Sequence, residues 1–316
     1  MSLDLSALSN YVKENEQQLT AAAIFSAKTA SLIEAKGNVQ VGIKSAETIN
    51  ILTTDAVFQA GGTCGFNASG TTTITQRQLS VGKIKVQEAI CPKTFEAKYT
   101  QKALRQGSQY DYMAYAQEYT DQKIKKIGAA LETALWQGDT TSGNGQLNKF
   151  NGYATIINAL GFGGAGDPIN GNVSALTTLT KSNVRQAVDD IFLSIPAALL
   201  DKEDVVIFAG NDTFREYVVA LREANLFHYS VDAANMETII PGTNVKMIGV
   251  NGLNGTDYMV CGSMENFWLG TDMLNEQDKF ELFYAKEADE MRFVVEFKLG
   301  CQVAFPDEIV FWKKSA

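Results

Sequence analysis

Met291-Arg-Phe-Val-Val-Glu-Phe-Lys-Leu-Gly-Cys-Gln-Val-Ala-Phe305 carries the strongest periodic signal in the chain. Every odd position is apolar (Met291, Phe293, Val295, Phe297, Leu299, Cys301, Val303, Phe305), and Arg292, Glu296, Lys298 and Gln302 fall between them. Side chains of a strand alternate between its two faces, so the pattern predicts one long strand with an apolar face. At about 3.3 Å per residue it would extend roughly 50 Å, against a usual strand of about five or six residues. Pro306 ends it, and Phe280, Leu282 and Tyr284 supply an antiparallel partner across a polar turn at Lys286 to Glu290. The stripe of Phe293, Phe297 and Phe305 reads as core rather than as a ligand pocket.

A second long element lies upstream. From Thr100 to Trp136 the apolar residues Ile124, Ile127, Leu131 and Leu135 step by three and four, preceded by Tyr110, Met113 and Tyr119. This predicts one long helix, roughly 55 Å at 1.5 Å per residue, with Gly138 placed to end it and Gly107 to bend it. Between helix and strand, residues 180–262 read as a compact α/β unit. Val184, Ala187, Val188, Ile191, Phe192 and Ile195 form a helical stripe ending at Pro196, and Val205 to Phe208 is a buried strand. Asp212 is placed to cap a helix carrying Phe214, Tyr217, Val218 and Leu221, and Val245 to Val250 and Tyr258 to Cys261 are further strands.

The first part of the chain has a different character. Residues 1–45 read as an arm rather than a core element: Leu3, Leu5, Leu8 and Val12 hint at an amphipathic turn, and Gln17 to Ala35 is rich in Ala, Ser and Thr. From Thr48 to Ala97 strands flank a turn region at Gly61, Gly62, Gly65 and Gly70. Ile49 and Ile51 share a face; on the return, Leu79 and Val81 are odd and Ile84 and Val86 even, so a bulge or bend is expected at Gly82. So thin an apolar supply makes a poor independent core.

Composition narrows the function. The 316 residues are 45% hydrophobic and 20% charged, with 17 Phe, 11 Tyr, 3 Trp and only 5 Pro, which excludes a disordered or collagen-like chain. No apolar stretch is long enough to span a bilayer, and the N-terminus lacks the basic start and apolar run of a signal peptide. We expect a protein made and kept in a cytoplasm. The balance of 27 Lys plus Arg against 36 Asp plus Glu, a net charge of -9, argues against a groove that holds nucleic acid by neutralising phosphates.

No stretch assembles a catalytic, cofactor or metal site. The cysteines Cys64, Cys91, Cys261 and Cys301 lack metal-knuckle or dithiol spacing and read as reduced thiols, and the single histidine, His228, sits among bulky apolar neighbours. Gly161-Phe-Gly-Gly-Ala-Gly166 spells a dinucleotide fingerprint after an apolar run at Ile156 to Leu160. Asp167-Pro168 follows where a helix start should receive the pyrophosphate, so it reads as a loop. Gly210-Asn-Asp212 reads as helix capping rather than an anion site. Asp189 and Asp190 are adjacent on a helix and read as a solvated face. Catalytic, cofactor-binding and metal-binding residues are therefore expected to be none.

A globule of this size is about 50 Å across, so the helix and the strand would each cross it. The chain therefore reads as an elongated plate whose appendages lie on a neighbouring copy. The order of segments resembles the major capsid protein of tailed bacteriophages, whose fold is shared with encapsulin shells and the herpesvirus capsid floor. The resemblance is carried by arm, extended loop, long helix, the Trp136-Gln-Gly-Asp139 turn with Phe150-Asn-Gly-Tyr153, the α/β insertion and the terminal long strands. Val205-Val-Ile-Phe-Ala-Gly-Asn211 with the Asp212 helix looks like the axial domain's strand and helix. Tyr258-Met-Val-Cys-Gly-Ser263 looks like the strand that returns the chain to the peripheral domain.

The resemblance implies an α+β fold with an N-terminal arm (1–47), an extended loop (48–97), a peripheral domain (98–179 and 263–316) and an axial domain (180–262). It implies a structural protein, not an enzyme, that self-assembles as pentamers and hexamers into an icosahedral shell. That shell would enclose phage DNA without sequence-specific binding, in a virion built in a host bacterial cytoplasm. Separate scaffold, portal or decoration proteins would be its partners, since no scaffolding domain of about a hundred residues precedes the arm, and no membrane is involved. Lys83 and Lys85 lie on the loop, but nothing around them identifies the crosslink some family members form. The alternatives are an encapsulin-like compartment shell and, more remotely, an α/β enzyme.

Overall fold

The computed structural model describes residues 16–59, 68–91, 112–164, 166–224, 231–232, 236–272, 279–285, 287–288 and 290–315. Helices α1 (Glu16–Phe25) and α2 (Lys28–Lys36) lead into strands β1 (Val39–Val41), β2 (Ala46–Thr54), β3 (Thr72–Ser80) and β4 (Gly82–Ile90). Then come α3 (Tyr112–Gln137), α4 (Tyr153–Leu160), β5 (Ile169–Asn170), α5 (Val184–Ser194), α6 (Ala197–Leu200), β6 (Val205–Gly210), α7 (Asn211–Glu223) and β7 (Val231–Asp232). Seven strands complete the chain: β8 (Glu237–Ile239), β9 (Lys246–Val250), β10 (Met259–Ser263), β11 (Phe267–Thr271), β12 (Lys279–Ala285), β13 (Glu290–Val303) and β14 (Val310–Trp312).

The long strand is β13, and its 14 residues bury Met291, Phe293, Val295, Phe297, Leu299, Cys301 and Val303 as the alternation requires. It pairs antiparallel with β12 (Leu282 opposite Phe293), with β4 (Val86 opposite Val295) and with β11 (Leu269 opposite Cys301). Lys298, expected on the polar face, is only 6% exposed. Its ammonium lies 2.6 Å from Asp272 Oδ2 and donates to the Lys44 carbonyl at 3.0 Å, so the charge is buried but paired. Alternation along one strand carries no information about a segment that crosses over it from elsewhere.

The phase change at Gly82 is a bend between sheets. β3 pairs with β2, and β4 pairs with β13. A Cβ on Gly82 would overlap the Lys149 carbonyl oxygen, so the crossing needs glycine. The long helix α3 buries Ile124, Ile127, Leu131 and Leu135 as expected and runs 26 residues, about 39 Å. Its expected start at Thr100, with Gly107 and Tyr110, lies outside the described residues, as do Leu3, Leu5, Leu8, Val12, Gly61, Gly62 and Gly65.

The arm reading is corrected from Glu16 onward. α1, α2 and the link between them bury Ala23, Ile24, Ala27, Ala30 and Ile33 in the same core as α3 and β13. Alanine contributes little apolar area, so the stripe is faint in sequence, but it lets helix backbones approach closely. At Gly128 of α3 any Cβ would meet the Ser26 hydroxyl.

The α/β unit is built on a mixed seven-stranded sheet in the order β5-β14-β10-β6-β9-β8-β7. Two of its strands come from outside 180–262: β14 lies antiparallel beside β10, Phe311 opposite Val260, and β5 lies parallel to β14. The C-terminal segment thus does not stay wholly with the long strands. The sheet is buried on both faces. Val205, Ile207 and Ala209 of β6, Met259 and Cys261 of β10, and Val310 and Trp312 of β14 face α5 and α7. Their neighbours Val206, Phe208, Val260 and Phe311 face the principal core with α3 and β13.

Trp136 sits where these parts meet. Its ring centroid is 5.1 Å from Phe208 of β6, 5.4 Å from Tyr153 of α4 and 6.3 Å from Phe267 of β11. Its Nε1 donates to Thr29 Oγ1 at 2.8 Å. Thr29 in turn donates its hydroxyl to Glu132 Oε1 at 2.5 Å and its N–H to Oε2 at 2.9 Å. Burial pushes the Glu132 carboxyl above the ordinary glutamate value, and the bonds from Thr29 and Trp136 and the nearby Lys28 charge offset this only in part.

A carboxyl raised on folding contributes stability that is complete below its unfolded value, about 4.3, and lost as pH rises through the folded one. Glu132→Gln keeps an acceptor for the Thr29 N–H and removes that loss. Urea midpoints at pH 5 and pH 8 should show the variant gaining on the wild type as pH rises; a constant or reversed difference would refute the assignment.

Candidate assembly surfaces

The β2–β3 hairpin is built from β-branched residues that favour a pleated ladder, and it pairs from Ala46 opposite Ser80 out to Thr54 opposite Thr72. Its base is anchored by Ile49, Ile51 and Leu79, packed with Ile43, Ala304, Val81, Trp268 and Phe305. The outer half has no such support. Leu52 and Ile74 sit directly opposite each other and are 60% and 68% exposed. Beyond them Val57 is half exposed and Phe58 fully exposed. Beside the backbone ladder, polar cross-strand contacts hold this region, among them Gln76 Nε2 to Asn50 Oδ1 at 3.0 Å, the Thr54 and Thr72 hydroxyls 3.1 Å apart, and Gln59 to Ser69. A two-stranded ribbon is marginal alone, so this end is suited to lie on another surface.

The sequence reading found Ile49 and Ile51 and missed the pair Leu52 and Ile74. The available signal was an apolar residue at an even position, which makes β2 apolar on both faces at one point. Two further exposed apolar residues are Val173, in the loop before the α/β unit, and Leu193 of α5. The Val173 segment is tied to α5 because Ser174 donates its N–H and hydroxyl to Asp190 at 3.1 and 2.9 Å. Asp190 is therefore a buried tether and not part of a solvated pair, while Asp189 is exposed.

The remaining motifs are occupied by the protein's own contacts. After α4, a helix where the fingerprint reading needs a strand, Gly164 donates its N–H to Asp167 Oδ2 at 2.8 Å and Phe162 stacks 5.9 Å from Phe311. The next element is β5, so the turn delivers no helix start. Gly210 rather than Asp212 is the N-cap of α7. Asp212, in the first turn, accepts the N–H of Thr213 at 2.8 Å and of Gly255 at 2.7 Å, placing a carboxylate where an anion would sit. Cys91, Cys261 and Cys301 are free thiols, and burial raises the last two. Cys301 donates to the Asn151 carbonyl at 3.2 Å, and Lys85 pairs with Glu296 at 2.7 Å. Cys64 and His228 lie outside the described residues.

The anchoring and exposed residues of the hairpin should separate in stability measurements. Leu79→Ala should cost about 2–4 kcal/mol in chemical denaturation, whereas Leu52→Ser with Ile74→Ser should shift stability by no more than about 1 kcal/mol. Equal losses would mean that the outer half is also structural.

No protein-family model and no curated protein matches the sequence. Solved structures do. A chain of the satellite phage P4 procapsid including size determination (Sid) protein superposes with a TM-score of 0.56 at 13% identity, over 94% of this chain and 90% of that one. The capsid of an empty GTA particle gives 0.57 at 11%, over 90% of each chain. The cyanophage A-1(L) capsid gives 0.54 at 13%, over 87% and 89%. At such identities the likeness is one of fold, and it extends over about nine-tenths of the chain. This chain has the fold of the phage capsid structures.

Proposed function

We propose that the chain is a structural protein that self-assembles into an icosahedral phage capsid and encloses its genome. The observation that carries this reading is a capsid fold across nine-tenths of the chain together with an apolar hairpin end that the chain leaves uncovered. In this reading residues 48–97 form the extended loop, 98–179 and 263–316 the peripheral wall, and 180–262 the axial domain, with β5 and β14 closing its sheet. The segment from Glu16 packs in its own core, so among the described residues the reaching role falls to the hairpin.

The role is structural rather than enzymatic. The primary partner is a second copy of the chain, in rings of five and six. A separate scaffold, portal or decoration protein would complete the particle. A net charge of -9 suits a wall that encloses DNA without gripping it. The chain would be made in the host cytoplasm and end in the virion. No observation on this chain favours a compartment shell.

Light scattering on the purified chain, with negative-stain microscopy of the same fraction, tests the reading. Rings of five or six copies or hollow particles are expected, and a monomer at all concentrations would reject assembly by the chain alone. Deleting residues 61–70 should weaken assembly while leaving the unfolding midpoint of the monomer unchanged. A deletion that assembles normally would remove the hairpin from the contact.

A further inference from the structure

A cleft of about 380 Å³ runs between β4, α3 and the 145–150 loop. Its wall includes four consecutive residues of β4, Ile84 to Gln87. Successive side chains leave a strand on opposite faces, so a cleft that meets four in a row lies along the strand's edge. β13 takes one edge of β4, and among the described residues no strand pairs with the other. The floor is apolar, made by Ile127 and Leu131 of α3 with Phe150. The charged residues of the lining are all basic, Lys85, Lys123, Lys126 and Lys149, beside the neutral Gln87 and Gln146. Lys85 pairs with Glu296 and Lys123 with Glu88, whereas Lys126 and Lys149 are exposed and have no ion pair among the described residues.

A free strand edge, an apolar floor and two unpaired cations together specify one kind of ligand. We propose that this cleft docks an extended acidic peptide of a separate protein, which adds as a strand to β4. Its backbone would pair with the β4 edge, its apolar side chains would rest on Ile127 and Leu131, and its carboxylates would face Lys126 and Lys149. The chain's own hairpin does not fit the charge, because beyond Glu47 at its base its only acidic residue is Asp55. The proposal does not depend on the capsid reading, since it concerns a binding event on one subunit.

The test uses the full chain and a fluorescent seven-residue peptide of alternating Glu and Val, with an alternating Lys and Val peptide as control. Anisotropy should show binding of the Glu peptide alone. Lys126→Glu with Lys149→Glu, both on exposed side chains, should weaken it about tenfold or more while leaving the thermal melt unchanged. Hydrogen exchange should slow at alternate amides between Lys83 and Ala89 when the peptide is added. Absence of binding would overturn the proposal and leave the lysines as guards of an open edge. Binding indifferent to the charge reversal, or binding without protection of β4, would overturn it as well. So would edge amides already protected in the protein alone, which would mean that another copy covers β4.

Discussion

The fold depends on a sheet that is buried on both faces. Each strand of β6, β10 and β14 divides its side chains between two cores, so neither core is complete without the other. Trp136 closes the joint on the principal side, where Phe208, Tyr153 and Phe267 approach its ring from three elements and Phe208 meets Phe267 edge-on at 5.5 Å. A fully buried tryptophan at such a junction is worth several kcal/mol, and leaving its indole N–H unpaired would cost part of that. Thr29 is that partner, which ties α2 to α3 at the same point. The α/β unit and the long-stranded layer are thus welded together.

What was legible in the sequence is what a single element settles for itself. β13 was readable because seven odd residues face one core, and α3 because its stripe faces that same core with the period of a helix. What was not legible depends on a partner distant in sequence. Lys298 is buried because Asp272 and the Lys44 carbonyl meet it, Asp190 because Ser174 does, and β14 leaves the long strands because β10 offers an edge. α1 and α2 were hidden for another reason: alanine packs well and signals weakly.

The hairpin was half legible. Ile49 and Ile51 announce the anchored face, and glycine marks the bend where β3 hands the chain to β4. The exposed pair of Leu52 and Ile74 becomes visible only in register, because which residue lies opposite which is set by the pairing and not by either strand. The surface read from structure is therefore a cross-strand property, and its anchoring at the base is what holds that surface in a fixed direction.

Magnitudes decide how such a surface can work. Burying Leu52, Ile74, Val57 and Phe58 completely would contribute about 1.5–3 kcal/mol each, roughly 6–12 kcal/mol in all as an upper bound. Bringing two copies together costs about 4–15 kcal/mol in lost freedom alone. One hairpin on one neighbour therefore gives a weak, reversible pair. A contact of that strength becomes durable only when each copy is held by several neighbours at once, so that every further contact forms within the assembly rather than from solution. A closed arrangement supplies that multiplicity, and it also lets a misplaced copy leave before closure. The uncovered hairpin on a rigidly welded body is thus better matched to a many-membered shell than to a simple dimer.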